Sequence, residues 1–227
     1  MSLRKKFFAM TYDRFINGSE KAGLRGLRRD LLAGAEGRVL EIGAGTGRNL
    51  ELYPTGVSLT VTEPEIPMLA RLERKAHEQA PATTVIQAPA EDLPFEDGTF
   101  DVAVSTLVLC GVRDQSKALA EIRRVLKPGG RFLFLEHVRS DDPKLAHRQD
   151  RMNPVNRFVV LCDCNRSTLA AIEAAGFTVA NLEHGELPKS PSFVRPLITG
   201  TAFAPGSSSS PGAPGAERTT ARPAIVP

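Results

Sequence analysis

Short apolar runs alternate with longer amphipathic stretches along the first two thirds of the chain. Five of these runs are four to six residues long and read as buried strands. They are residues 38–42, 57–62, 83–86, 100–105 and 131–135. Between them, residues 66–79 and 115–126 carry apolar side chains at helical spacing. Strands that alternate with helices predict a parallel sheet covered on both faces, so we expect a doubly wound α/β fold.

The two ends of the chain differ from this alternating region. Helical stretches at about 4–15 and 21–32 precede the first strand. We expect residues 1–35 to form a helical lid. After Glu136 a polar segment without a predictable shape leads to a helix near 166–175 and to possible strands at 178–182 and 194–202. From Pro205 onward proline, glycine, serine and alanine dominate, which is typical of disorder. We therefore predict an α/β domain over 36–203 and a disordered tail over 204–227.

Composition narrows the possible partners. The net charge is only +3, which gives no electrostatic reason to expect a nucleic acid partner. No run approaches the ~18 apolar residues of a membrane span, and the N-terminus lacks the features of a signal peptide. Three cysteines, an odd number, favour a reducing compartment, so we expect a cytoplasmic protein. The oligomeric state is left open.

A glycine-rich turn follows the first predicted strand, where Gly43, Gly45 and Gly47 alternate with other residues. Glycine permits a positive φ and lets the backbone approach a ligand closely. In sheets of this kind ligands bind beyond the carboxyl ends of the strands. Glu63 stands at the end of the second strand, where an acidic residue accepts hydrogen bonds from ribose hydroxyls. The pattern predicts a nucleotide-like ligand, although such glycines also occur in turns that only connect a strand to a helix.

The spacing of the glycines separates two cofactors. A dinucleotide site has the pattern G-x-G-x-x-G, whereas here Arg48 occupies the place of the third glycine. Glu41, two residues before the first glycine, suits a ligand with positive charge rather than a pyrophosphate. The sulfonium and ammonium groups of S-adenosylmethionine meet that requirement. A nicotinamide-dependent oxidoreductase and a non-catalytic cofactor-binding protein remain the alternatives.

Four blocks in unbroken order resemble class I methyltransferases of the ubiquinone/menaquinone C-methyltransferase and phospholipid N-methyltransferase type. They read VLEIGAGTG, TVTEPE, APAEDLPFEDGTFDVAVSTLVLC and ALAEIRRVLKPGGRFLFLEHV. The resemblance implies a Rossmann-like seven-stranded, mostly parallel sheet with its last strand antiparallel, and S-adenosylmethionine across the strand ends. The residues it places around the cofactor are Gly43, Gly45 and Gly47 at the methionine part, Glu63 at the ribose, Pro64 and Glu65 at one edge of the adenine, Ala90 and Glu91 at its other edge, and Thr106 and Leu107 under the methionine.

Later segments resemble a narrower group, which includes human thiol methyltransferases and bacterial relatives. These segments are LFLEHV, CDCNRSTLAAIEAAGF and LPKSPSFVRPLITGTA. In this group a C-x-x-N-R-x-T pattern precedes the last two strands, and Asn165 and Arg166 are its candidate substrate-binding residues. Tyr12 is a third candidate because relatives use a Tyr-Asp pair to cover the cofactor, although a tyrosine here also suits simple packing.

Three further features have a functional and a structural interpretation. His137 directly follows the fifth strand, where it would act as a base or orient the substrate, or only support the scaffold. Cys162 and Cys164 lack the second ligand pair of a zinc site, so no metal is predicted. The basic and aromatic start suits peripheral membrane contact, but a lid is the simpler use. Its residues are Arg4, Lys5, Lys6, Phe7 and Phe8.

The expected reaction is methyl transfer to a small, fairly apolar acceptor with a sulfur, nitrogen, oxygen or activated carbon nucleophile. A thiol, a lipid amine, a quinone precursor and a natural product all meet this description. Catalysis would consist mainly of holding nucleophile and methyl group in line.

Overall fold

A computed structural model describes the backbone of residues 3–206 and the side chains of residues 9–206. The predicted tail lies outside the described residues from position 207 onward. The basic and aromatic side chains proposed for membrane contact, at positions 4–8, also lie outside them. Within the described part, no helix combines the length and the apolar character that a membrane crossing requires.

Seven strands form one mixed sheet within residues 3–206. They are β1 Arg38–Ile42, β2 Ser58–Thr62, β3 Thr84–Ile86, β4 Phe100–Thr106, β5 Leu126–His137, β6 Thr178–Glu186 and β7 Pro196–Phe203. Their order is β3-β2-β1-β4-β5-β7-β6. β1 to β5 pair in parallel, while β7 runs antiparallel to both β5 and β6. The predicted α/β fold with an antiparallel last strand is confirmed.

Helices cover both faces of this sheet. They are α1 Leu3–Ser19, α2 Arg25–Leu32, α3 Ile66–Gln79, α4 Gln115–Val125, α5 Pro143–Val160 and α6 Thr168–Ala174. A π-helical turn, Glu20–Leu24, joins α1 to α2. Short 3-10 turns lie at Leu50–Leu52 and Ser192–Val194.

The period of two along the strands divides the core between the faces. Leu40 and Ile42 of β1 join a cluster with α4 and α6, represented by Ile122 and Ile172. Val39, which precedes Leu40, points to the opposite face and packs with α2 and α3. Both faces of β1 are therefore buried, as a central parallel strand requires. α2 belongs to this core through the buried Leu32, whereas the division of the chain at residue 35 remains a prediction.

Helix α5 corrects the expectation that the segment after Glu136 has no regular shape. It begins with strong signals, because the Asp142 carboxylate accepts a hydrogen bond from the backbone of Lys144 and Pro143 occupies the first turn. Its interior hides the pattern, since Gln149 is fully buried and Pro154 lies within the helix. Periodicity of apolar residues misses a helix whose buried face is partly polar.

The sheet brings the ends of three neighbouring strands to one edge. β1 leads into the glycine turn, β4 into residues 107–112, and β5 ends at His137. This edge is where sheets of this class bind ligands.

Candidate functional site

The glycine turn has the backbone that its sequence predicts. Gly43, Gly45 and Gly47 have φ values of 56°, 59° and 78°, in the region that favours glycine. A Cβ added to Gly43 would lie 2.6 Å from the Val108 side chain, whereas one added to Gly45 would meet no atom within 4 Å. Gly43 is therefore needed for packing against the β4 turn. Gly45 faces open space that a ligand can occupy.

Glu63 joins the glycine turn to the end of β2. Its two carboxylate oxygens accept hydrogen bonds from the backbone N–H groups of Gly45 and Glu65, each at 2.9 Å. Burial raises the pKa of Glu63 to about 7. The carboxylate thus lies at the predicted ribose position, and its role toward the ribose remains a prediction.

Glu41 lies under the glycine turn and has two protein donors. Asn49 donates to one carboxylate oxygen at 2.9 Å and the Tyr53 hydroxyl donates to the other at 2.8 Å. Burial raises the pKa of Glu41. Its negative charge would act on a ligand through this network, and its role toward the cofactor remains a prediction.

A buried arginine of α2 extends the same network. Arg28 is 3% exposed and forms an ion pair with Glu20 at 3.1 Å. It also donates hydrogen bonds to Asn49 Oδ1 at 3.2 Å and to Thr106 Oγ1 at 2.6 Å. The sequence analysis missed Arg28 because it stands among exposed arginines of the same helix, and only its three-dimensional partners distinguish it.

Helix α1 lies across the glycine turn and is held there by one aspartate. Asp13 accepts hydrogen bonds from the Thr46 hydroxyl at 2.8 Å and from Arg48 at 3.0 Å. It also pairs with Arg71 of α3 at 2.9 Å. The neighbouring Tyr12 packs against the apolar cluster between the lid and strands β5 and β7, and burial raises the pKa of Tyr12. These contacts place α1 as a cover over the predicted cofactor loop.

The predicted adenine side has one exposed and two covered residues. Pro64 is exposed and its carbonyl accepts a hydrogen bond from Gln87 at 3.3 Å. Ala90 is buried. Glu91 accepts backbone hydrogen bonds at residues 113 and 114, at 2.6 and 3.3 Å, so its carboxylate holds the approach to α4.

The turn after β4 is shaped by a buried carboxylate that the sequence analysis did not select. Glu136 accepts hydrogen bonds from the Ser105 hydroxyl and from the backbone N–H groups of Val108 and Leu109, the last two at 3.1 Å. Burial raises the pKa of Glu136. Leu107 in this turn has a φ of 61°, a conformation that a leucine rarely adopts. Thr106 and Leu107 lie at the strand edge between these bonded residues, and their contact with the cofactor remains a prediction.

Arg166 supports this turn from the other side. Its guanidinium donates hydrogen bonds to the carbonyls of Leu109 and Val112 at 2.8 and 2.7 Å and pairs with Asp163 at 2.8 Å. Asn165 donates to Asp150 at 2.9 Å. Both candidate substrate residues therefore hold the scaffold, and any direct contact with substrate remains a prediction.

His137 is grouped with two cysteines at the same edge. Its Nδ1 atom lies 3.4 Å from Cys162 Sγ. The potential ligand atoms of Cys110, His137 and Cys162 all lie within 4.8 Å of one another. The neighbouring Cys162 thiol and burial raise the pKa of Cys110 well above that of an ordinary thiol. Cys164, which the sequence analysis paired with Cys162, instead faces Gln149 and Asn153.

Comparisons with known proteins show the family to which the chain is similar. Residues 40–134 match a family model described as a methyltransferase domain. The human thiol S-methyltransferase TMT1A is 36% identical over 179 residues, which cover 75% of this chain and 72% of that protein. The phosphatidylethanolamine N-methyltransferase of Cereibacter sphaeroides is 36% identical over 112 residues, or 48% of this chain and 55% of that protein.

A solved structure supports the fold over a greater length. It is an S-adenosylmethionine-dependent methyltransferase from Thermotoga maritima, described as a possible histamine N-methyltransferase. It superimposes with a TM-score of 0.66 at 24% identity, covering 90% of this chain and all of that one. The oxidoreductase alternative is not favoured by these similarities.

Proposed function

Because the chain belongs to the S-adenosylmethionine-dependent methyltransferases, in a family that includes the human thiol S-methyltransferases, we propose that it methylates the sulfur of a small, fairly apolar thiol. The observation that carries this choice is the extent of the similarity. It spans 179 residues with TMT1A, whereas the methyltransferase domain model matches only residues 40–134. The similarity to a thiol methyltransferase therefore includes residues beyond the cofactor half.

The glycine turn fits the cofactor, because Gly45 leaves free space beside a buried carboxylate at the end of β2. We propose that these residues bind the cofactor: Glu41, Gly43, Gly45 and Gly47 at the methionine part, Glu63 at the ribose, Pro64, Ala90 and Glu91 around the adenine, and Thr106 and Leu107 beneath the methionine.

When bound, S-adenosylmethionine supplies an electrophilic methyl group on a sulfonium whose departing thioether is neutral and needs no proton. The chain's contribution is then to orient the acceptor and to exclude water. We place the acceptor between the lid, the turn 107–112 and His137. Tyr12 would contact it from the lid, while Arg166 and Asn165 would set the position of the turn and of the segment that carries Cys162. We expect this reaction in a reducing, cytoplasmic setting, where a thiol acceptor persists.

The test uses the purified full chain, labelled S-adenosylmethionine and three acceptors of matched size: an alkyl thiol, a lipid amine and a quinol. We expect label on the thiol at a rate at least about tenfold above the other two. A preference for the amine or the quinol would contradict the thiol assignment. Cofactor affinity measured in parallel by calorimetry separates a wrong acceptor from a protein that does not bind the cofactor. The variant Glu63→Ala should lose that affinity, while Glu73→Ala, at an exposed position of α3, serves as the control.

A further inference from the structure

Three soft or borderline metal ligands converge where β4, β5 and α5 end. Cys110 lies in the turn after β4, His137 is the last residue of β5, and Cys162 follows α5. Their potential ligand atoms lie within 4.8 Å of one another, although the residues are 27 and 25 positions apart in sequence. Cys110 is buried, whereas His137 and Cys162 are half-buried.

The separation of His137 and Cys162 fits a tetrahedral zinc ion as well as it fits a hydrogen bond between the two side chains. Zinc–sulfur and zinc–nitrogen bonds of about 2.3 and 2.0 Å at a tetrahedral angle put the two donor atoms about 3.5 Å apart. The observed separation of His137 Nδ1 and Cys162 Sγ is 3.4 Å. Two thiolates and one imidazole are a donor set that zinc prefers, and three protein ligands leave one position for water or substrate.

A second observation points to a ligand at the same place. His137 Nε2 is fully buried and has no hydrogen-bond partner among the described residues. Buried polar atoms in native proteins are nearly always satisfied, so such an atom requires an explanation. A metal ion coordinated through Nε2 would satisfy this atom directly, whereas one coordinated through Nδ1 would leave Nε2 to carry the ring proton.

The backbone around the cluster is tied together independently of the three ligand side chains. The N–H of Asp163 donates to the Cys110 carbonyl at 2.9 Å, and Asn156 donates to the Cys162 carbonyl at 2.7 Å. Gly111 permits this approach, since a Cβ there would lie 3.3 Å from the Leu161 carbonyl oxygen. Hydrogen bonds of this kind position metal ligands before the ion binds.

We propose that Cys110, His137 and Cys162 bind one Zn²⁺ ion whose fourth position takes the sulfur of the acceptor. The metal-binding part stands on the cluster alone, whereas the acceptor part rests on the proposed thiol methylation. On binding, the acceptor thiol gives its proton to water and remains on the ion as a thiolate. Its sulfur then forms the bond to the methyl carbon, and the electron pair of the broken carbon–sulfonium bond stays on the departing thioether. The neutral methylated product leaves the ion.

Metal binding is tested on the full chain, reduced and stripped with a chelator. We expect one Zn²⁺ per chain by elemental analysis, and a thiolate-to-metal absorption band when Co²⁺ replaces zinc. Cys162→Ser, at a half-exposed position, should weaken Zn²⁺ binding by at least about 100-fold, beyond the effect of losing an outer-shell partner. Cys164→Ser is the matched control, because its sulfur faces Gln149 and Asn153 outside the cluster. Failure to retain Zn²⁺, or equal affinity in Cys162→Ser and the parent, overturns the site.

The acceptor part has its own readout. The stripped protein should methylate a thiol at least about tenfold more slowly, bind S-adenosylmethionine unchanged, and recover when Zn²⁺ is returned. Full thiol methylation without zinc overturns the acceptor role while the proposed function stands. Zinc bound by all three residues with no thiol methylation overturns the proposed function while the metal site stands.

Discussion

The two halves of the strand edge are built in different ways. In the cofactor half, between β1 and β3, a five-residue turn makes its contacts through backbone atoms and the carboxylates of Glu63 and Asp13. In the acceptor half, the turn 107–112 is fixed by side chains from far along the chain, chiefly Glu136 and Arg166. The turn of the first half depends on glycine conformation, whereas the turn of the second depends on side chains that are distant in sequence. Substitutions should therefore damage the halves by different mechanisms, and each can be damaged separately.

The largest effect is expected for Gly43→Ala. The added Cβ would lie 2.6 Å from Val108 on a backbone with a φ of 56°. Steric overlap and a left-handed conformation together should lower the free energy of unfolding by about 2–4 kcal/mol. Urea denaturation measures this. The control is Gly45→Ala, which has the same strain but no atom within 4 Å, and should lose about 1–2 kcal/mol. Equal losses for both variants would contradict the close packing between the two halves.

Arg166→Met should damage the acceptor half alone. It removes hydrogen bonds to the carbonyls of Leu109 and Val112 and the ion pair with Asp163, so we expect a loss of about 2 kcal/mol. The KM for the thiol should rise while the Kd for S-adenosylmethionine stays constant. Arg157→Met is the matched control, since Arg157 is 68% exposed and lies 3.7 Å from the same aspartate. A change in cofactor affinity would show that the halves are not separable.

The pH dependence of cofactor affinity should arise from Glu63, in the cofactor half. Glu63 has a pKa of about 7 because burial disfavours its charge. Because the pKa is raised from an ordinary 4.5, protonated Glu63 stabilises the ligand-free fold fully below pH 4.5, and this contribution is lost as the pH rises from there through 7. The ionised form is the better acceptor for ribose hydroxyls, so affinity should increase up to about tenfold per pH unit below 7 and level off above it. Calorimetry from pH 5.5 to 8.5 measures this, and a flat profile in the parent protein would refute it. Glu63→Gln should remove the slope.

The smallest effect is expected at the lid. Asp13→Asn removes the charge that pairs with Arg48 and Arg71 at a partly exposed position. Such pairs contribute about 0.5 kcal/mol, so the cofactor should dissociate about two to three times faster. Displacement kinetics measure the rate. Asp30→Asn, in an exposed pair with Arg29, is the control. Equal rates in both variants would show that α1 does not cover the cofactor.

The difference between local patterns and contacts distant in sequence explains which features the sequence predicts and which it does not. The strand 38–42, the helix 66–79 and the position of the glycine turn follow from local patterns, because a strand or an amphipathic helix buries residues at a fixed period. Glu41 and Glu63 were found by their distance from the glycines. The Cys110–His137–Cys162 cluster could not be predicted from the sequence, because its members come together only when the ends of β4, β5 and α5 meet.

Arg28 and Glu136 were missed for the same physical reason. Both are buried charges whose partners are distant in sequence, and a charged residue on a helix or at a strand end is more often exposed. Helix α5 was not predicted because its buried positions include Gln149, whose amide donates hydrogen bonds to the carbonyls of Val138 and Cys164. Polar burial has no period that a sequence pattern can reveal.

The contacts that hold the lid differ in chemistry on the two sides of the π-helical turn between α1 and α2. Gly23 within it has a φ of 137°, and the chain beyond Gly23 is anchored by the fully buried Leu24 at the end of this turn and Leu32 at the end of α2. α1, by contrast, is fastened to the glycine turn by the partly exposed ion pairs of Asp13. Added salt screens exposed pairs but not buried leucines. Added salt should therefore speed the exchange of the cofactor by weakening the ion pairs that hold α1, at concentrations that leave the buried leucines of the turn and of α2 in place.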